Sequence, residues 1–298
     1  MALIQAYLRY LKDDKKRSVL TLAAYEKDIA QFCDSLRRNE SHPADVDLSH
    51  RLLSVTPRVA DAYAETLARR HYRPSSIHRK LTVLRGFYAW LVRSGRLEAA
   101  PFGRVVRSSS PPAAFSYIEP AMIQQLFETI GSASWLAVRD RAILGLIFNT
   151  GMRVHELLAL QAADILWDEG LVRIHGGGKA SRQCKLWGWV MDDVRHYDRL
   201  RRQQGTGVNA HFFVNCACGP LNSRSIRRKF SAYGLKAGLP VPVTPATLRH
   251  SYAMMMLHNG VQPKIIQTQL GHLSNSSMTH YLGCLKQTVS SGQTEAVL

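Results

Sequence analysis

Thr244-Pro245-Ala246-Thr247-Leu248-Arg249-His250-Ser251-Tyr252-Ala253 opens the stretch whose reading decides the fold. It continues through Asn259-Gly260-Val261 and Leu270-Gly271-His272 to Tyr281. Pro245 suits a first helical turn, an apolar run follows Arg249, and Asn259-Gly260 is a stop signal. Ile265, Ile266 and Leu270 carry a second helical pattern. The spacing predicts short packed helices whose ends and turns present an arginine, a histidine and a tyrosine. That set suits phosphate chemistry, in which cations hold oxyanions, a donor assists a leaving group and a phenol attacks.

Composition points the same way. The 298 residues suffice for two domains, and a hydrophobic fraction of 46% can fill sizeable cores. A formal net charge of +17, spread along the chain, favours nucleic acid over a membrane surface as partner. The first residues read as an amphipathic helix rather than a signal peptide, and no apolar run approaches the length of a bilayer span, so a cytoplasmic protein is expected. Cys33, Cys184, Cys216, Cys218 and Cys284 are scattered and odd in number, which excludes a disulfide framework. The gap in Cys216-Ala217-Cys218 is wrong for a zinc knuckle, and no second pair answers it.

Patterning divides the chain. Leu3, Tyr7, Leu8 and Leu11, then Leu20, Ala24, Tyr25 and Phe32, then Val59, Tyr63 and Leu67, then Ile77, Leu81, Leu84, Phe87 and Leu91 predict four helices, the last capped by Ser75-Ser76. Pro101, Gly103, Ser108-Ser109-Ser110 and Pro111-Pro112 mark a linker. The expected division is a helical domain at 1–98, a linker at 99–117 and a second domain at 118–298 with a C-terminal tail. In that domain, helices are expected at Met122–Ile130, Ala137–Asn149, Val194–Arg202 and Ser223–Ala237. Leu171–His175 alternates like a strand, Gly176–Lys179 is its hairpin, and Cys184–Trp187 returns; His211–Val214 is a further short strand. The fold class is mainly α with a small β-hairpin or sheet.

Leu248-Arg249-His250-Ser251-Tyr252-Ala253, then Leu270-Gly271-His272, then a tyrosine nine residues on, resemble the C-terminal signature of the tyrosine recombinases (phage integrase family, Xer-like). Thr150-Gly151-Met152-Arg153-Val154-His155-Glu156-Leu157 resembles their first arginine motif. The N-terminal bundle is similar to their core-binding domain, so the resemblance covers nearly the whole chain. It implies a site-specific DNA recombinase whose two domains clamp a duplex. Tyr281 would attack a phosphodiester, leaving a 3′-phosphotyrosyl bond and a free 5′-hydroxyl, with rejoining through a Holliday junction and no ATP. Arg153 and Arg249 would grip the non-bridging oxygens, and His272 would bond the same phosphate. The partner implied is double-stranded DNA with paired half-sites, bound by a dimer and synapsed as a tetramer, with a partner recombinase left open. No metal and no cofactor are expected, since the cationic side chains supply the charge.

Two departures from the family pattern matter. A histidine that commonly assists proton transfer stands three residues before the second arginine; here that residue is Ala246. The hairpin lysine that protonates the leaving group aligns with Gly177; Lys179 lies two residues on and is the expected general acid, with Lys185 in reserve. These departures are the case for a catalytically impaired DNA-binding relative that supports an active partner. Duplex contacts are expected from Lys15, Lys16, Arg17, Arg79, Lys80 and Arg85 in the bundle, and from Arg224, Arg227, Arg228 and Lys229 on a basic helix. The DNA site and the biological task (chromosome-dimer resolution, integration or transposition) are not legible.

Overall fold

A computed structural model of the chain describes residues 2–38, 47–103, 116–176, 181–206, 211–271, 278–279 and 281–285. The chain forms two compact units, Met1–Ala113 and Ala114–Leu298.

The first unit holds α1 (Ala2–Asp13), α2 (Val19–Arg37), α3 (Leu48–Leu53), α4 (Pro57–Arg69) and α5 (Pro74–Arg93). Ser18 caps α2 by accepting the Thr21 N–H at 3.2 Å. Leu84, Phe87, Tyr88 and Leu91 recur at helical spacing along α5 and are all fully buried, so one stripe of this helix builds the core. The expected Ser75-Ser76 cap is corrected: α5 starts at Pro74, and its N-cap Arg73 makes no side-chain bond. Proline's fixed φ begins the helix without a hydroxyl cap. Phe102, in the stretch whose composition reads as linker, is buried with ring centroids 5.5 Å from Phe32 and 5.2 Å from Tyr88.

The second unit comprises α6 (Pro120–Ile130), α7 (Trp135–Thr150), α8 (Val154–Leu158), β1 (Ile165–Leu166), β2 (Leu171–Ile174), β3 (Arg182–Lys185), α9 (Gly188–Gln203), α10 (Ser223–Lys236), α11 (Pro245–His258) and α12 (Pro263–Gln269). The strands form an antiparallel sheet in the order β1-β2-β3, with Ile174 opposite Arg182 and Leu171 opposite Lys185. The returning strand therefore starts two residues earlier than expected, and Trp187 leaves the sheet to cap α9. α7 is buried on nearly all sides and packs against α9 and α11, so it is the axis of this unit. Its low polarity explains why it needs partners all round.

The strand expected at His211–Val214 is not formed. Val214 makes a single bridge to Pro220, while Phe213 stacks on Tyr197 and Phe212 meets that ring edge-on. The Phe212 N–H donates to Leu160 O at 2.7 Å, so the backbone is satisfied without a ladder. Among the described residues, no helix is long and apolar enough to cross a membrane.

Candidate active site

The site begins where α7 ends. Gly151 closes that helix at φ 59°, and a Cβ there would collide with Leu270 and come within 2.8 Å of Tyr252. Glycine alone allows both the left-handed turn and the close approach. The turn delivers Arg153 to the N-cap of α8, where its N–H donates to Glu156 Oε2 at 2.7 Å and its Nη1 to Oε1 at 3.2 Å. From β3, Arg182 donates Nη1 and Nη2 to the two Glu156 oxygens at 3.0 and 2.8 Å. Burial pushes the Glu156 carboxyl up, but the Arg182 bonds, the Arg153 N–H and both charges hold it down at about 2. It is ionised at any working pH and fixes two guanidiniums.

Three arginines then converge on one turn. Arg182 Nε donates to Gln269 O at 2.6 Å, Arg249 Nη2 to Leu270 O at 2.6 Å, and Arg153 Nη2 to Gly271 O at 3.3 Å. Arg249 Nη1 also donates to Gly151 O. These carbonyls lie at the C-terminal end of α12, where acceptors lack intrahelical donors and the helix dipole is negative. Gly271, at φ 67°, leaves the room: a Cβ there would lie 3.0 Å from Arg182 Nη1 and 3.3 Å from Arg153 Nη1. Arg249 is buried, and its guanidinium is pulled down to about 10 by desolvation and then by Arg153, which still leaves it charged at neutral pH. Two of the three cations thus share one carboxylate, and the third bonds only carbonyl oxygens. The surplus positive charge suits an anion.

Tyr281 sits beside this cluster, only 2% exposed, within an apolar group that includes Tyr252, Met254, Leu257 and Met278. Its hydroxyl shares a 2.7 Å hydrogen bond with His250 Nδ1. Burial raises the phenol and Arg249 lowers it, with a net rise. Burial and then Arg249 push the His250 imidazole below its ordinary 6.5, which favours the neutral ring at pH 7. Ala246 lies exposed in the first turn of α11.

The structure brings together Arg153, Arg249 and Tyr281 of the expected catalytic set. His272, Lys179 and Gly177 lie outside the described residues. The reserve residue Lys185 is placed elsewhere. Alternation along β3 puts it on the face opposite Arg182, and its Nζ donates to Glu169 O at 2.5 Å. Arg182 is the residue that sequence reasoning missed, since one arginine in a polar strand carries no distinguishing signal until its partner Glu156 is known.

The same residues fall within a family match. Residues 116–287 fit the model for the phage integrase family, and residues 4–95 fit that for the phage integrase N-terminal SAM-like domain. The chain belongs to the phage integrase family. Tyrosine recombinase XerC of Oceanobacillus iheyensis is 31% identical over 93% of this chain and 90% of its own length. Tyrosine recombinase XerC of Halalkalibacterium halodurans is 28% identical over 93% and 91%. The fold is shared with the Tn1549 transposon integrase in complex with circular intermediate DNA, at TM-score 0.74 and 15% identity over 94% of each chain. It is shared too with the XerH recombinase bound to a palindromic difH substrate, at TM-score 0.74 and 16% identity over 97% of this chain and 82% of that one.

For this phage integrase relative, the residues expected on DNA fall into three groups. Lys15, Lys16, Arg17, Arg224, Arg227 and Arg228 are exposed. Arg79 is half-exposed and bonds Asp28 through both Nη atoms, and Arg85 is half-buried, its enclosed Nε and Nη2 meeting no hydrogen-bond partner among the described residues. Lys80 and Lys229 are corrected. Lys80 is buried, with Nζ 2.9 Å from Asp28 Oδ1 and 2.6 Å from Gln31 Oε1. Lys229 reaches inward to Asp140 Oδ2 at 2.8 Å. Both amines are consumed by carboxylates of the fold. Helical position alone does not reveal such a pairing.

Proposed function

We propose that this tyrosine-type site-specific recombinase uses Tyr281 as its nucleophile and Arg153 and Arg249 as its phosphate clamp. It breaks and rejoins DNA strands through a 3′-phosphotyrosyl intermediate and a Holliday junction. The observation that carries the assignment of residues is the convergence of three guanidiniums on the turn at Gln269–Gly271, with one carboxylate bonded to two of them and a buried tyrosine at the edge.

Arg153 and Arg249 now bond backbone carbonyls, which are neutral acceptors. A non-bridging phosphate oxygen is a charged acceptor and forms stronger bonds. As the phosphorus becomes five-coordinate it gains negative charge, and planar, preorganised donors stabilise that state most. Arg182 acts one step back: by bracketing Glu156 it holds Arg153 at its angle, and by bonding Gln269 it holds the turn that leads into His272. We assign Lys179 as the donor to the 5′-oxygen and His272 as a further phosphate contact. Residues 1–98 form one arm of a DNA clamp and 118–298 the catalytic arm, joined by the linker 99–117. The protein acts in the cytoplasm on duplexes with paired half-sites, as a dimer on each site and a tetramer in synapsis.

The test selects a duplex bound by the full chain from a randomised library, then nicks it near the cleavage point. Incubation in EDTA yields a covalent protein–DNA band on a denaturing gel, and Tyr281→Phe removes it. A band that survives this change, or no band on a tightly bound duplex, overturns the assignment.

A further inference from the structure

A phenol whose hydroxyl is buried must lose its proton to bond with phosphorus. Arg249, the charged group that acts on this phenol among the described residues, carries no acceptor. Ala246 has no side-chain polar atom. What the Tyr281 hydroxyl does touch is an imidazole: His250 Nδ1 lies 2.7 Å away, with ring centroids 5.7 Å apart and planes inclined at 57°. Both side chains are held by α11 and by the apolar group around Tyr281, so the contact is built into the packing.

Resting on the reading of Tyr281 as nucleophile, we propose that His250 accepts the Tyr281 proton during cleavage and returns it during rejoining. The Tyr281 O–H bond breaks toward Nδ1, and the phenolate pair forms the O–P bond. The P–O5′ bond breaks, and the departing 5′-oxygen takes a proton from the general acid. In reverse, the 5′-hydroxyl attacks as its proton returns to the general acid, the O–P bond to Tyr281 breaks, and the imidazolium gives its proton to the departing phenolate.

The surroundings fit both directions. Burial and Arg249 keep His250 neutral before the reaction, so the Nδ1 lone pair is available in the tautomer protonated at Nε2. After transfer, an imidazolium next in sequence to Arg249 is itself disfavoured, which favours return of the proton. Among the described residues, Arg249 acts on both rings directly, while Arg153, Glu156 and Arg182 act through Arg249. Because the imidazole lies below its ordinary 6.5, its neutral form predominates at pH 7 and is lost as pH falls below that value.

The experiment measures single-turnover cleavage by the full chain on the selected nicked duplex carrying a 5′-bridging phosphorothiolate. Sulfur leaves without a proton, so the pH profile reports on the nucleophile alone. Wild type is expected to be flat above neutrality and to fall on the acid side. His250→Ala is expected to be about 100-fold slower, to climb with pH across the neutral and alkaline range, and to regain rate with added imidazole. His250→Gln keeps a hydrogen bond to the phenol but accepts no proton, and should be as slow as alanine. It also serves if the alanine variant does not fold. A wild-type rate and profile in either variant, or full rescue by glutamine, overturns the proposal while Tyr281→Phe remains inactive. Loss of the nucleophile assignment would show differently, as an adduct that persists in Tyr281→Phe.

Discussion

Asp28 in the first unit and Glu156 in the second are both buried carboxylates held by two cationic side chains. The cations on Asp28, Arg79 and Lys80, are neighbours on α5 and cross to α2, so the pair pins one helix to another. Lys80 is further taken up by Gln31 and lies 5.3 Å from the Tyr72 ring centroid. The cations on Glu156 come from the start of α8 and from β3, and a third arrives from α11 with no carboxylate of its own. The first arrangement spends its charge within the fold. The second gathers charge from distant parts of the chain and leaves a surplus facing neutral carbonyls that a phosphate can replace. The second place holds one cation more, and its acceptors are ones that can be exchanged.

The largest effect should come from the arginine without a carboxylate. Arg249→Lys keeps the charge and loses the two-pronged donation, and single-turnover cleavage should fall about 1000-fold with DNA binding little changed. A loss of less than tenfold would mean that point charge suffices. Glu156→Gln comes next. With its carboxyl held at about 2 against an ordinary 4.5, this group contributes about 3 kcal/mol of stability. That contribution is complete above pH 4.5 and drains away as pH falls toward 2, so chemical denaturation from pH 7 to pH 3 should show a steeper loss in wild type than in the variant. Parallel curves would break the account of the bracket.

Asp28→Asn should lower stability by about 2 kcal/mol by leaving the Lys80 amine buried with a weaker partner, while the cleavage rate of the bound complex stays as in wild type. A cleavage defect there would erase the distinction between the two carboxylates. The smallest effect is expected from Arg227→Ala, an exposed side chain. Unfolding should not change, and the dependence of log affinity on log salt should become shallower by about one unit. An unchanged slope would remove Arg227 from the DNA surface.

How much of this could be read from residues alone varies from place to place. Arg153 and Arg249 were legible because each sits inside a block that resembles a motif of the tyrosine recombinases, and the helices around them follow the 3.6-residue period. The strand expected at His211–Val214 misread contiguous apolar residues: Phe212 and Phe213 are buried by ring packing about Tyr197, which leaves the same sequence pattern as a ladder. Lys80 and Lys229 were expected on the surface because a basic residue on a helix usually faces water. Their carboxylate partners lie 52 and 89 positions away in sequence, beyond any local pattern.

The sequence by itself determined most of the element types and the phosphate-directed character of the arginine and tyrosine blocks. The first follows from local rules of periodicity and capping, the second from residue chemistry and the blocks' resemblance to a known family. Only the tertiary structure decided that Arg182 completes the arginine cluster, that Lys80 and Lys229 are inward ties, and that His250 meets the Tyr281 hydroxyl. Each of these depends on which distant side chain fills the adjacent space, and a short-range pattern holds no information about that.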